Sequence, residues 1–245
     1  MNENNTVEKL RRMHLGAMAR LYHQSLTDQH YTNYTADELL TLLVDAEWEH
    51  RQKTRIESLI RQAGFKQTLS PQDIDYMTNR NLDRNVLDRL LNLQFLEKAE
   101  NIIITGPTGC GKSFLAQCLG VKACQMLNRT HYYPATRFLD KVKLARLDGS
   151  YSKMIRTMGK LPLLIIDDFL LTPVDQTTRT ALLDVIEERY EKGATIISTQ
   201  IPVEQWHPLI GESTMADAIL DRLVYSSHRI TLTGESLRKK KKLTA

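Results

Sequence analysis

Eight consecutive residues in the middle of the chain, Gly106-Pro107-Thr108-Gly109-Cys110-Gly111-Lys112-Ser113, follow the pattern G-x-x-x-x-G-K-[ST] without departure. These residue types suit one task. The glycines let the backbone turn tightly enough for successive N–H groups to face a chain of phosphates. Lys112 is the cation that reaches the β- and γ-phosphates, and the Ser113 hydroxyl is a ligand for Mg²⁺. Phe114 closes the segment, and a helix starting near Ser113 would add its positive end. ATP and Mg²⁺ are therefore the expected cofactors.

A second group lies further along, in Leu163-Leu164-Ile165-Ile166-Asp167-Asp168. Four apolar residues read as a buried strand that delivers two carboxylates at its C-terminal end, where open α/β sheets bind ligands. Asp167 is the expected partner of Mg²⁺, directly or through water. Asp168 is placed to polarise an attacking water as a general base. A third group, Thr195 to Gln200 (TIISTQ), brings Ser198, Thr199 and Gln200 to the same edge. Any of the three could orient the water or sense the γ-phosphate.

The elements that must position these groups follow from periodicity. Ile102-Ile103-Ile104 is a short β-branched run that stops at the glycine-rich loop. Further strands are expected at His131–Tyr133, Leu163–Ile166, Thr195–Ser198 and His228–Leu232, separated by helices at 113–127, 136–147, 175–191 and 214–225. Apolar strands alternating with helices indicate an α/β fold with a five-stranded parallel sheet covered on both faces. Upstream, one helix is expected from Thr6 to Leu26, with Leu10, Met13, Leu15, Met18 and Leu21 apolar. Another spans 36–63, where Thr35 and Glu38 form a capping-box pattern and Gly64 is a stop. Residues 83–98 read as a further helix, and Ser70-Pro71 signals a turn or helix start. We expect a small helical domain over 1–70 and an ATPase domain over 71–245.

Bulk properties exclude several classes. No apolar run approaches the roughly 20 residues needed to cross a bilayer, and the polar N-terminus lacks a secretory signal. Both favour the cytoplasm. Cys110, Cys118 and Cys124 have neither zinc-ligand spacing nor an even count, so they read as small packing residues in a reducing compartment. The formal net charge is +4. Positive residues concentrate in the tail Arg238-Lys239-Lys240-Lys241-Lys242 and in Arg137, Lys141, Lys143, Arg146, Lys153, Arg156 and Lys160, against Asp140 and Asp148. Such clustering suits contacts with phosphate backbones and equally suits a solvated helix face. No recognition-helix or zinc-finger pattern predicts base readout.

Several segments resemble AAA+ ATPases, and specifically the IstB family of insertion-sequence transposition helpers, which is related to the helicase loader DnaC. They are NIIITGPTGCGKSFLA (101–116), LLIIDD (163–168), IISTQIPVEQW (196–206) and MADAILDRLVYSSHRI (215–230), followed by Gly234-Glu235-Ser236-Leu237-Arg238; LLTLLVDAEWEHR (39–51) resembles the family's helical leader. The resemblance implies an ATPase that assembles as a ring or helical homo-oligomer on duplex DNA, cooperates with an IstA-type transposase and helps choose the insertion target. It assigns Gln200 as the polar sensor and Arg222, in Asp221-Arg222-Leu223, as an arginine finger for a neighbour's ATP. It also tips the basic segment toward DNA, with Lys141, Lys143, Arg146 and Lys153 as contacts. Arg238 is either a phosphate sensor or the start of the basic tail. The catalytic acid is Asp168 where many AAA+ enzymes have Glu, and Gln200 stands for the usual Asn; both fit slow turnover, which is expected to be DNA-stimulated. A DnaC-like helicase loader shares the same core. A P-loop kinase of small molecules would need an acceptor pocket and a lid, and the paired acids and the DRL motif argue against it.

Overall fold

A computed structural model of the chain describes residues 3–28, 31, 33–66, 69–74, 76, 80–171 and 174–237. Arg238 and the lysines after it lie outside the described residues. The chain forms two compact units, Met1–Ser58 and Leu59–Ala245.

The first unit is helical. The single helix expected over Thr6–Leu26 is two, α1 (Glu3–Arg12) and α2 (Gly16–Thr27). His14 breaks it with φ 59°. The break re-aims the chain, so Val7, Ala17 and Ala19 are buried while Met13 is 64% exposed. Helix α3 (Ala36–Ala63) has the expected capping box. Thr35 N donates to Glu38 Oε2 (2.8 Å) and Glu38 N to Thr35 Oγ1 (3.3 Å). Glu47, on the buried side of α3, accepts from Ala17 N (2.9 Å), Met18 N (3.2 Å) and Arg51 Nε (2.9 Å). Its carboxylate thereby caps the N-terminus of α2, where unpaired N–H groups favour negative charge.

The second unit is built on five parallel strands: β1 (Asn101–Thr105), β2 (Thr130–Pro134), β3 (Leu163–Asp167), β4 (Ala194–Thr199) and β5 (Ser227–Thr231). Their order is β2-β3-β4-β1-β5. All five follow the expected runs to within a residue or two. Alternation along each strand feeds two cores. Ile102, Ile104, Leu163, Ile165 and Ile196 pack on one face with α6 (Lys112–Gln125). Ile103, Leu164, Ile166 and Ile197 pack on the other, under α7 (Ala135–Leu147), α8 (Tyr151–Gly159), α9 (Gln176–Arg189), α10 (Trp206–Ile210) and α11 (Ser213–Val224).

In this unit one expected helix is divided, and α8 and α10 are additional to those expected. The segment 83–98 is α4 (Arg84–Leu91) and α5 (Gln94–Glu97), parted by Leu93 at φ 61°. The expected helix over 136–147 is α7, and α8 follows it after a turn in which Gly149 takes φ 75°. Ser70-Pro71 opens a single 3-10 turn, Pro71–Asp73, closed by a Ser70–Asp73 capping box. The three cysteines are buried and unpaired; burial pushes the Cys118 thiol up to about 12, with the Asp73 charge adding to it.

Candidate nucleotide site

β1 ends at Thr105 and opens directly into the glycine-rich loop, which closes into α6 at Lys112. Gly106, Gly109 and Gly111 have φ values of 146°, 84° and 103°, a region that L side chains rarely adopt. At Gly109 a Cβ would also collide with the Ser236 side chain. Pro107 and Thr108 are exposed at the tip, Cys110 is buried beneath it, and Phe114 packs against the α6 core. Lys112 Nζ donates to the Pro107 carbonyl (2.8 Å), holding the ammonium over the loop.

Asp167 ends β3, fully buried, at the centre of a polar cluster. Its Oδ1 accepts from Ser113 Oγ (2.9 Å) and from Ser198 Oγ of β4. Its Oδ2 accepts from Tyr132 Oη of β2 and lies 3.7 Å from Lys66 Nζ. Burial, then the bond to Asp167, raises the Tyr132 phenol far above its ordinary value, so it remains a donor. Ser113 and Asp167 together offer a hydroxyl and a carboxylate, the hard oxygen donors Mg²⁺ takes alongside phosphates. Among the described residues no group of three or more His, Cys, Asp or Glu is placed to hold a metal.

The next residue, Asp168, turns out of the strand with φ 59°, and Leu170 follows at φ 59°. Phe169 N donates to Ser198 O (3.0 Å) and Thr199 Oγ1 to Phe169 O (2.6 Å), fixing this turn to β4. The three polar residues of β4 and its end thus separate. Ser198 faces the Asp167 carboxylate, Thr199 pins the backbone, and Gln200 Oε1 accepts from Thr108 Oγ1 of the loop (2.6 Å).

The segment after β5 covers the loop. Leu232 N donates to Thr105 O (2.8 Å), Thr233 N to Arg80 O (3.0 Å) and Leu237 N to Gly109 O (3.0 Å). Arg80 is buried, and its Nη1 would lie 2.6 Å from a Cβ at Gly111.

Arg222 lies elsewhere. Its carbonyl accepts from Asn101 Nδ2 (3.0 Å) at the first residue of β1, so it sits at the end of the sheet opposite the loop. Its guanidinium meets Glu187 Oε1 (3.3 Å) and the Tyr190 ring (5.9 Å). Within one chain it does not join Lys112 and Asp168. The seven basic residues expected to face DNA are all exposed, on α7, on α8 or just after it. Lys141 Nζ lies 5.6 Å from the Tyr133 ring centre, and Arg146 stacks at 4.2 Å over Tyr151.

With this geometry in hand, the family model for the IstB-like ATP binding protein matches residues 8–245. The chain belongs to that family. An insertion-sequence ATP-binding protein of Sinorhizobium fredii is 40% identical over 234 residues, 96% of each chain. Among solved structures, the DnaC helicase loader aligns at TM-score 0.53 and 17% identity, covering 60% of this chain and 86% of its own. The replication initiator DnaA, solved with AMPPCP and single-stranded DNA, aligns at 0.59 and 15%, covering 74% of this chain and 56% of that one. At such identities the likeness is one of fold, the AAA+ P-loop fold. No described helix of this IstB-like protein is long and apolar enough to cross a membrane.

Sequence reasoning missed Lys66, Arg80 and Tyr132 in this IstB-like site. Each stands far from the loop in sequence and within a short stretch that carries no motif. The one available signal was positional: Tyr132 sits on the expected strand, in register with Ile165, two residues before Asp167.

Proposed function

We propose that the chain is an ATP-dependent DNA-binding AAA+ regulator that assists an IstA-type transposase in target selection and insertion. ATP with Mg²⁺ binds between the loop, Ser113 and Asp167. Lys112 neutralises the phosphates, Asp168 polarises the attacking water, and Gln200 reports the γ-phosphate to the loop through Thr108. Arg222 of one subunit completes the ATP site of the next, so bound nucleotide joins subunits into a ring or helical assembly on duplex DNA. Lys141, Lys143, Arg146 and Lys153 hold the DNA backbone, and hydrolysis, slow and stimulated by DNA, releases it. The cytoplasm is the compartment this reading requires.

The observation that carries the proposal is the opposition of Arg222 and the phosphate loop across the sheet. On this reading each end of a subunit carries half of a composite site. Likeness to the DnaC loader concerns the fold alone and gives no support to helicase loading over transposition. The test is DNA binding with and without ATP. Lys112→Ala should lose the ATP-dependent component, and a mutant that binds DNA as the wild type does would sink the mechanism.

A further inference from the structure

Lys66 stands beside the carboxylate that would take the metal. Lys66 Nζ stands 3.7 Å from Asp167 Oδ2 and 5.7 Å from the centre of the Tyr132 ring. The backbone behind it is fixed, since Lys66 N donates to Gln117 Oε1 on α6 (2.8 Å). Phe65 is wedged against α6, where a Cβ on Gly120 would lie 2.8 Å from its ring. The side chain of Lys66 is therefore delivered to the site by packing and is 48% exposed.

The two carboxylate oxygens are divided. Oδ1 faces Ser113 and Ser198, the side from which Mg²⁺ would be shared with the Ser113 hydroxyl. Oδ2 faces Tyr132 and Lys66. Tyr132 orients this oxygen, because its phenol donates to it directly and is itself buried. What Lys66 adds is charge. A positive group beside a carboxylate lowers the field that the carboxylate presents to a second cation. Asp168 and Arg137 also act electrostatically on the Tyr132 phenol, with opposite signs.

We propose that Lys66 is a positioning residue that sets the Mg²⁺ requirement of the nucleotide site, weakening the hold of Asp167 on the metal while Tyr132 keeps the carboxylate aimed. This rests on the ATP–Mg²⁺ reading above. It makes the segment just after α3 a determinant of when the site loads.

Removing Lys66 and removing the Tyr132 hydroxyl should then act in opposite directions. The experiment is a Mg²⁺ titration of binding of methylanthraniloyl-ATP to the full chain, followed by fluorescence. Lys66→Met should lower the half-saturating Mg²⁺ by about threefold, the size expected of a half-exposed ion pair. Lys66→Arg should restore the wild-type value, and Tyr132→Phe should raise it. The gap between wild type and Lys66→Met should narrow as KCl is raised, because the pair is partly solvated. A midpoint unchanged or raised in Lys66→Met, with Mg²⁺-dependent binding intact, overturns the inference alone. Wild-type binding that does not respond to Mg²⁺ overturns the nucleotide reading beneath it.

Discussion

Asn101 Nδ2 donates to the carbonyl of Arg222 at 3.0 Å, tying the first residue of β1 to the last turn of α11. The same strand ends where the phosphate loop begins, five residues on and about 16 Å away at the usual rise of a strand. One β-strand therefore spaces Arg222 from the phosphate loop. Asn101 also accepts from Thr195 N through Oδ1 (2.9 Å) and donates a second time to Leu223 O (3.3 Å), so a single buried amide holds β1, β4 and α11.

That amide is an exposed weakness of the design. Asn101→Ala leaves the Thr195 N–H and two helix-end carbonyls without their partner. The expected cost is about 1–3 kcal/mol of stability, read as a lower midpoint in urea unfolding. Nucleotide binding at the far end of the strand should survive.

The basic face of α7 and α8 can be read through salt. Lys143 and Lys153 are exposed on the two helices, and each phosphate contact contributes about 0.9 to the slope of log K against log salt on duplex DNA. Replacing either with Ala should reduce the slope by about 1 and weaken binding equally across sequences. Unequal losses on different sequences would point to base readout instead.

Acid should loosen the helical N-terminal unit through Glu47. Burial works to raise this carboxyl, but the Arg51 guanidinium and the Met18 and Ala17 N–H groups outweigh it and hold it below the usual carboxylate range. A depressed folded-state value means the stabilisation is present above the unfolded value, about 4.3 for Glu, and is lost as pH falls through the folded one. Glu47→Gln should cost about 1 kcal/mol at neutral pH, and its deficit should vanish in acid. Thermal melts of wild type and variant, followed by circular dichroism from pH 7 to pH 3, check both the sign and the window.

Much of the fold was legible because its signals are local. Ile102–Ile104 and Leu163–Ile166 are too apolar to be anything but buried strands beside a phosphate loop, and Thr35 with Glu38 announces the start of α3. What escaped was set by tertiary structure. His14 and Leu93 take left-handed backbone without the glycine or asparagine that normally signals it, so α1–α2 and α4–α5 each read as one helix. In the site, Lys112 and Ser113 belong to one motif and Asp167 ends an apolar run, so all three are marked by local sequence. Lys66 and Tyr132 reach Asp167 from other parts of the chain, and nothing in their neighbours' identity records that meeting. The strap from Leu232 to Leu237 was visible only as part of a resemblance; its bond to Gly109 gives it a physical place on the loop.

The central claim, that nucleotide joins one subunit's loop to another's Arg222, is tested most directly by mixing two inactive proteins. Lys112→Ala keeps its arginine and loses its own site; Arg222→Ala keeps its site and loses the arginine, with a fall in hydrolysis of about 10³-fold expected. Phosphate release is measured for each alone and for the mixture on duplex DNA. The account predicts that the mixture recovers activity, because Arg222 of the first protein completes the site of the second. A mixture no more active than its parents, with both variants folded and Arg222→Ala still binding ATP, would contradict it.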